Sequence, residues 1–147
     1  MKPVYQERII LMNEITRGEL AKRGGVNPET IRYYERSGLL PEAPRSNAGY
    51  RLFSPATVRR IRFIKRAQAV GFSLDEIKRL LDIKVAADAT RADVRAMVSA
   101  KIVEIDEKLA ALNAMKQTLQ NLEAMCCGDD HPASECPILE SFEVEVN

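Results

Sequence analysis

The 147-residue chain has no tryptophan, a single histidine and only three cysteines. It lacks any run approaching the roughly 18 consecutive apolar residues that a membrane span needs. Its one N-terminal apolar stretch, Ile9-Ile10-Leu11-Met12, is too short for a signal sequence and lies between Glu7 and Glu14. The expected compartment is therefore the cytoplasm, where thiols stay reduced and clustered cysteines point to metal or redox chemistry. Three cysteines cannot all pair. Other absences are local: no acidic residue occurs between Ala43 and Leu74, no glycine between Gly71 and Gly128, and no proline between Pro55 and Pro132. The first leaves an unbroken basic segment, and the other two leave a long stretch without helix breakers.

Charge divides the chain. Residues 1–82 carry 16 Lys and Arg against 9 Asp and Glu, whereas residues 83–147 carry 6 against 12. The cations concentrate at Arg45, Arg51, Arg59, Arg60, Arg62, Lys65 and Arg66, a pattern that suits a polyanion. Helix-start signals organise this basic half. Thr16-Arg17-Gly18-Glu19 and Ser73-Leu74-Asp75-Glu76 read as capping boxes, and Asn27-Pro28 and Ser54-Pro55 place a cap residue before Pro. Between the first two starts lies Lys22-Arg23-Gly24-Gly25-Val26, so residues 16–38 read as helix, tight turn, helix. Ile31 and Tyr34 fall on a core face with Leu20, leaving Thr30, Arg32, Tyr33 and Arg36 on outer faces. After Gly38-Leu39-Leu40-Pro41, the run from Arg45 to Phe53 around Asn47-Ala48-Gly49 reads as a hairpin, or wing. A helix from Pro55 to about Val70 and a shorter one from Leu74 to Leu81 close the unit around Val58, Ile61, Ile64, Ile77 and Leu80.

Beyond Asp82 the pattern changes. Val98, Ile102, Ile105, Leu109, Leu112, Leu119 and Leu122 recur in steps of three and four, a heptad seam interrupted at Lys116, where Met115 substitutes. The expected helix runs from about Ala92 to Leu122, roughly 45 Å at 1.5 Å per residue. A single apolar stripe on so long a helix calls for a second copy. After it, Cys126, Cys127, His131 and Cys136 gather every thiol and the one imidazole into eleven residues containing Gly128 and Pro132. Thiolate and imidazole suit zinc, copper(I), mercury, lead and cadmium far better than calcium or magnesium. Such a loop can fold Cys127 and Cys136 onto one ion. A thiol-based redox pair and a Cys–His nucleophile are the rival chemistries; the latter has no Gly-rich oxyanion element nearby and no second histidine.

The stretch from Ile31-Arg32-Tyr33-Tyr34-Glu35-Arg36 to Gly38-Leu39-Leu40, the wing Gly49-Tyr50-Arg51-Leu52-Phe53, the helix around Val58, Ile61, Phe63 and Ile64, and Gly71-Phe72-Ser73-Leu74-Asp75-Glu76-Ile77 resemble, in this order, the MerR family of transcription regulators. The Cys-Cys, His, Cys loop resembles that of the family's metal-sensing branch, above all its zinc-efflux regulators. The resemblance implies a mainly α protein: an N-terminal arm (1–12), a winged helix-turn-helix DNA-binding domain (13–82), a dimerisation helix paired as an antiparallel coiled coil (83–124), and a metal-binding loop and tail (125–147). It implies a homodimer on double-stranded promoter DNA, with Thr30, Arg32, Tyr33, Arg36, Arg45, Tyr50, Arg51, Arg59 and Arg60 facing the duplex. It also implies that zinc or another thiophilic ion, held by Cys126, Cys127, His131 and Cys136, makes the dimer distort the promoter for RNA polymerase. One position departs from the divalent-ion sensors, which carry a further Cys at the start of the long helix; here it is Arg91. Arg91 favours a monovalent copper, silver or gold ion held between Cys127 and Cys136, while Cys126 and His131 favour a divalent one.

Overall fold

The computed structural model describes residues 14–49 and 51–144. The expected N-terminal arm and Tyr50 lie outside the described residues. The chain divides after Arg95 into two units, the second running from Ala96 to the C-terminus.

The first unit begins with a two-residue strand, β1 (Ile15–Thr16), followed by α1 (Arg17–Gly24), α2 (Pro28–Arg36), β2 (Leu52–Phe53), α3 (Ala56–Ala69) and α4 (Leu74–Val85). Local chemistry explains the boundaries. The Thr16 side chain accepts from Glu19 N–H at 3.3 Å and starts α1, but the reciprocal arm of the expected box goes elsewhere, because the Glu19 carboxylate takes the Arg23 guanidinium at 2.7 Å. Gly25 at φ 68 ends α1 in the left-handed conformation that glycine adopts without penalty, and Val26 N–H reaches back to Ala21 O. Asn27 caps α2 by accepting from Thr30 N–H at 2.8 Å. Ser73 and Glu76 form the complete reciprocal box at the start of α4.

The wing closes through an antiparallel bridge between Arg45 and Arg51, with Gly49 N–H bonded to Ser46 O at 2.9 Å. Beyond the bridge, Leu52 and Phe53 pair antiparallel with Thr16 and Ile15. Thr16 thus serves as both strand and helix cap, whereas its sequence signature shows only the cap. The elements enclose a core in which Leu20, Ile31, Ile61, Ile64 and Ile77 are fully buried and Tyr34, Leu39, Leu40, Phe53 and Leu81 nearly so. Tyr34 keeps its hydroxyl satisfied by donating to Gln68 Oε1 at 3.0 Å, and burial raises its pKa. Leu81 is buried where Leu80 is expected; Leu80 is half-buried.

A 34-residue helix, α5 (Arg91–Ala124), carries the chain into the second unit, which continues through a single 3₁₀ turn (Ala133–Glu135) to α6 (Pro137–Glu143). Its start is a cap that the sequence reading does not include. Thr90 N–H and the Thr90 hydroxyl both donate to Asp93 Oδ2, at 2.7 and 2.9 Å, and these bonds lower the Asp93 pKa. The predicted seam is present and uncovered: Ile102, Leu109, Leu112, Met115 and Leu119 are all more than half exposed. Of the described residues from Ala96 onward, the only buried side chain is that of Lys101, which is bonded to Glu104 at 2.5 Å.

The packing of α1 against α3 leaves no room at Gly24. A β-carbon there would lie 2.8 Å from Cγ2 of the fully buried Ile61. Gly24→Ala should therefore destabilise the fold by about 1–3 kcal/mol through overpacking, outweighing the ~1 kcal/mol that alanine gains in a helix interior. Urea denaturation reads the effect; an unchanged or raised midpoint contradicts the packing argument.

Candidate functional site

Two places in the chain carry functional chemistry. The first is the outer side of α2 with the wing and α3. Asn27 and Pro28 set the start of α2, and burial of Ile31 and Tyr34 fixes its rotation. Arg32, Tyr33 and Arg36 then project outward; Tyr33 is about half exposed (49%). Arg32 is paired with Glu29 one turn earlier. The Thr30 hydroxyl donates to the capping Asn27 Oδ1 at 2.9 Å, which leaves its oxygen able to accept but not to donate.

The cations of the basic segment divide by task. Arg45 and Arg59 are exposed. Arg60 is half-buried, and its Nε donates to Leu39 O at 2.6 Å, tying α3 to the segment that follows α2. Arg51 donates to Ala43 O at 2.7 Å, and its Nη1 lies 3.6 Å from the Glu42 carboxylate, which closes the base of the wing. Lys65 and Arg62 donate to the carbonyls of Gly25 and Arg23, at 2.7 and 3.4 Å, and so satisfy the C-terminal end of α1 where a cation is favoured. Arg51 and Arg60 therefore brace the wing and α3 with part of their donor capacity.

The second place is the loop between α5 and α6. Gly128 at φ 67 turns the chain, Pro132 and the 3₁₀ turn carry it onward, and Cys136 occupies the cap position of α6 with Pro137 at the first helical residue. The four predicted ligands fall into two pairs. Cys136 lies beside Cys126, and its sulfur accepts from the N–H groups of Leu139 and Ile138. Those two bonds, followed by the Cys126 contact, lower the Cys136 pKa below the ordinary thiol value, while burial and Glu140 oppose the shift. Cys127 instead donates to Asp129 Oδ2 at 3.1 Å, and His131 Nδ1 is 2.9 Å from the same oxygen. Asp129 also accepts from His131 N–H at 3.1 Å, and its pKa is lowered by Cys127 first and then by His131. Asp129 is thus a member of the site that the sequence reading leaves out, although its place two residues before His131 marks it.

Among the described residues, no three His, Cys, Asp or Glu side chains converge in metal-holding geometry. The donors nevertheless line one cavity of about 690 Å³ that includes Cys126, Cys127, Asp129, His131 and Cys136. A set of three sulfurs and an imidazole, with one thiol already biased toward thiolate, fits a thiophilic cation.

The chain is similar to known proteins along most of its length. Residues 15–84 match the description "MerR HTH family regulatory protein", and residues 58–122 match "MerR, DNA binding". The HTH-type transcriptional regulator ZntR of Escherichia coli (strain K12) is 37% identical over 127 residues, covering 86% of this chain and 90% of that protein. The mercuric resistance operon regulatory protein of Bacillus cereus is 44% identical over 125 residues, covering 85% and 94%. The crystal structure of the transcription regulator PbrR691 from Ralstonia metallidurans CH34 in complex with lead(II) superimposes with a TM-score of 0.79 at 35% identity, covering 87% of this chain and 98% of that one.

The asymmetry among the thiols can be measured without metal. At neutral pH Cys136 should alkylate with iodoacetamide ahead of Cys127, and its rate should rise at lower pH, because a lowered pKa leaves more thiolate at any pH below the ordinary thiol value. Peptide mass spectrometry after timed quenching at pH 6 to 9 resolves the two sites. Equal rates at every pH would show that the α6 amides do not stabilise the Cys136 anion.

Proposed function

The chain belongs to the MerR family of helix-turn-helix regulatory proteins, and on that footing we propose that it binds promoter DNA as a homodimer and activates transcription when the Cys126–Cys136 loop captures a thiophilic metal ion. The observation that carries the reading is the union, in one chain, of an outward-facing α2 bearing Arg32, Tyr33 and Arg36 with a loop holding every sulfur ligand and the one imidazole.

On the DNA side, an α-helix fits the major groove, so α2 enters there while the wing meets the adjacent backbone. Arg32, Tyr33 and Arg36 meet phosphates or base edges, and Arg45, Arg51 and Arg59 act on phosphates. Phosphate contacts position the protein and make binding salt-dependent; base contacts supply sequence preference. The homodimer follows from α5, whose exposed Ile102, Leu109, Leu112 and Leu119 have no cover among the described residues and gain it by pairing with a second copy in antiparallel sense.

On the metal side, Cys126, Cys127, His131 and Cys136 would hold the ion, which supplies a bond network between the end of α5 and the start of α6. A divalent ion such as zinc, cadmium, lead or mercury is the preferred reading, because the nitrogen and oxygen of His131 and Asp129 stand beside Cys127. A monovalent ion held by two thiolates is the second reading. Arg91, at the first residue of α5, favours it, but the thiol beside Cys136 is Cys126 and not the expected Cys127, which is bonded to Asp129. Distorting a promoter costs on the order of 1–6 kcal/mol by elastic estimates, and structural zinc sites supply apparent energies of about 10–16 kcal/mol. Only the difference in metal affinity between two conformations does the switching, and RNA polymerase reads the distorted promoter.

Two outcomes test the proposal. In transcription from the native promoter in vitro, across zinc, cadmium, lead, mercury, copper(I) and silver, the wild type should respond to at least one ion. Cys127→Ser combined with Cys136→Ser should lose that response while keeping promoter affinity within about twofold, since neither thiol is among the residues assigned to the duplex; retained induction sinks the sensing assignment. Separately, Leu109→Glu with Leu112→Glu should convert a dimer into a monomer by analytical ultracentrifugation, because two charges would be buried without partners in the seam. A wild type already monomeric at micromolar concentration would remove the homodimer from the proposal.

A further inference from the structure

Arg17 is absent from the set of DNA-facing residues read from sequence, yet it lines a basic cavity of the first unit. That cavity, about 540 Å³, opens at the N-terminus of α1 and is bordered by Thr16, Arg17, Gly18, Arg32, Arg45 and Arg51. Arginines from α1, α2 and both sides of the wing line it, and no Asp or Glu does. A neighbouring cavity of about 400 Å³ shares three of these arginines but contains Glu35 and Glu42, so an anion is drawn to the first.

Further observations point to a ligand. Arg17 Nη2 is held by the largely buried Glu35 carboxylate at 3.1 Å, which orients the guanidinium across from α1 to α2. Arg17 Nε is buried and has no hydrogen-bond partner among the described residues, a state that costs free energy unless something completes it. A β-carbon placed at Gly18 meets no protein atom within 4 Å, so packing does not demand glycine there and the backbone of α1 can be approached closely. The first N–H groups of a helix lack intrahelical partners and favour anions.

We propose that this cavity is a seat for one phosphate of the DNA backbone, and that Arg17 is a positioning residue that couples this phosphate, through Glu35, to the setting of α2. The inference rests on the promoter-binding reading and adds to it a site that joins both arms of the wing to the two helices. One phosphate held at the α1 terminus and by Arg45 and Arg51 locks the register of the protein on the duplex. Arg17 transmits that register to α2 because Glu35 belongs to the same helix as Arg32 and Arg36.

Two variants of the full chain test it on promoter duplex with binding measured at several salt concentrations. Arg17→Ala should reduce the log–log salt slope by about 0.9 for each copy engaged, and should weaken the operator and a base-substituted operator by the same factor. Gly18→Glu places a carboxylate where an acidic residue favours the helix terminus, so its melting temperature should equal or exceed that of the wild type. Its promoter affinity should nevertheless fall by roughly tenfold or more through like-charge repulsion. A neutral methylphosphonate placed at successive backbone positions should find one position per half-site where the wild type loses affinity and Arg17→Ala loses nothing more. If Gly18→Glu binds like the wild type, or Arg17→Ala keeps the full slope and the phosphonate penalty, the seat does not exist. A wild type that binds no promoter duplex would instead overturn the DNA-binding reading itself.

Discussion

A helix of 34 residues with one apolar side that no described residue covers is the constraint from which the rest follows. Isolated helices draw little stability from propensity alone, and most of their stability in proteins comes from packing an apolar face. In α5 that face runs from Val98 to Leu119 and is exposed throughout. Water contact along such a stripe is costly at about 25 cal/mol per Å², and a second identical stripe removes it. Pairing also doubles the basic first unit, which turns one weak set of phosphate contacts into two linked ones. The promoter-binding and dimer proposals are therefore one proposal seen at two scales.

The basic segment shows why counting charge is a poor guide to which cations touch a polyanion. Seven Lys and Arg stand between Ala43 and Leu74, but four of them spend donors on carbonyls within the fold: Arg51 on Ala43, Arg60 on Leu39, Arg62 on Arg23 and Lys65 on Gly25. These bonds end a helix or brace the wing. Their loss would disturb the proposed DNA-binding surface as surely as the loss of a phosphate contact would, so effects on binding and on folding have to be separated for each residue. Arg45 and Arg59, exposed and outside these ties, are the simpler cases.

Local grammar was the most legible part of the sequence. Caps at Thr16, Asn27 and Ser73, the left-handed Gly25 and the core triplet Leu20, Ile31 and Tyr34 stand where composition and spacing place them, because each depends on neighbours within a few residues. Partnerships across the chain were not legible. The pairing of Ile15–Thr16 with Leu52–Phe53, the Arg17–Glu35 bridge and the carbonyl ties of α3 join residues 18 to 40 positions apart, and no periodicity encodes them. The Thr90–Asp93 cap was a readable signal, since a Thr followed three residues later by an acid before an apolar helix is a start motif.

The loop from Cys126 to Cys136 was legible as a donor set and not as a geometry, and the difference bears on the proposed sensing. A site whose ligands already stand around the ion binds tightly and moves nothing. Here Cys126 stands with Cys136 at the α6 terminus, while Cys127 and His131 share Asp129. An ion that recruits donors from both pairs must draw the Cys127–His131 arm toward the cap of α6. The free energy of metal–sulfur bonding is then partly converted into a change of loop shape at the end of α5. An ion satisfied by Cys126 and Cys136 alone leaves the second pair where it is. On this reading the discrimination between cations lies less in raw affinity than in how many of the two pairs an ion must join, because only the states that differ in donor arrangement can shift a conformational equilibrium.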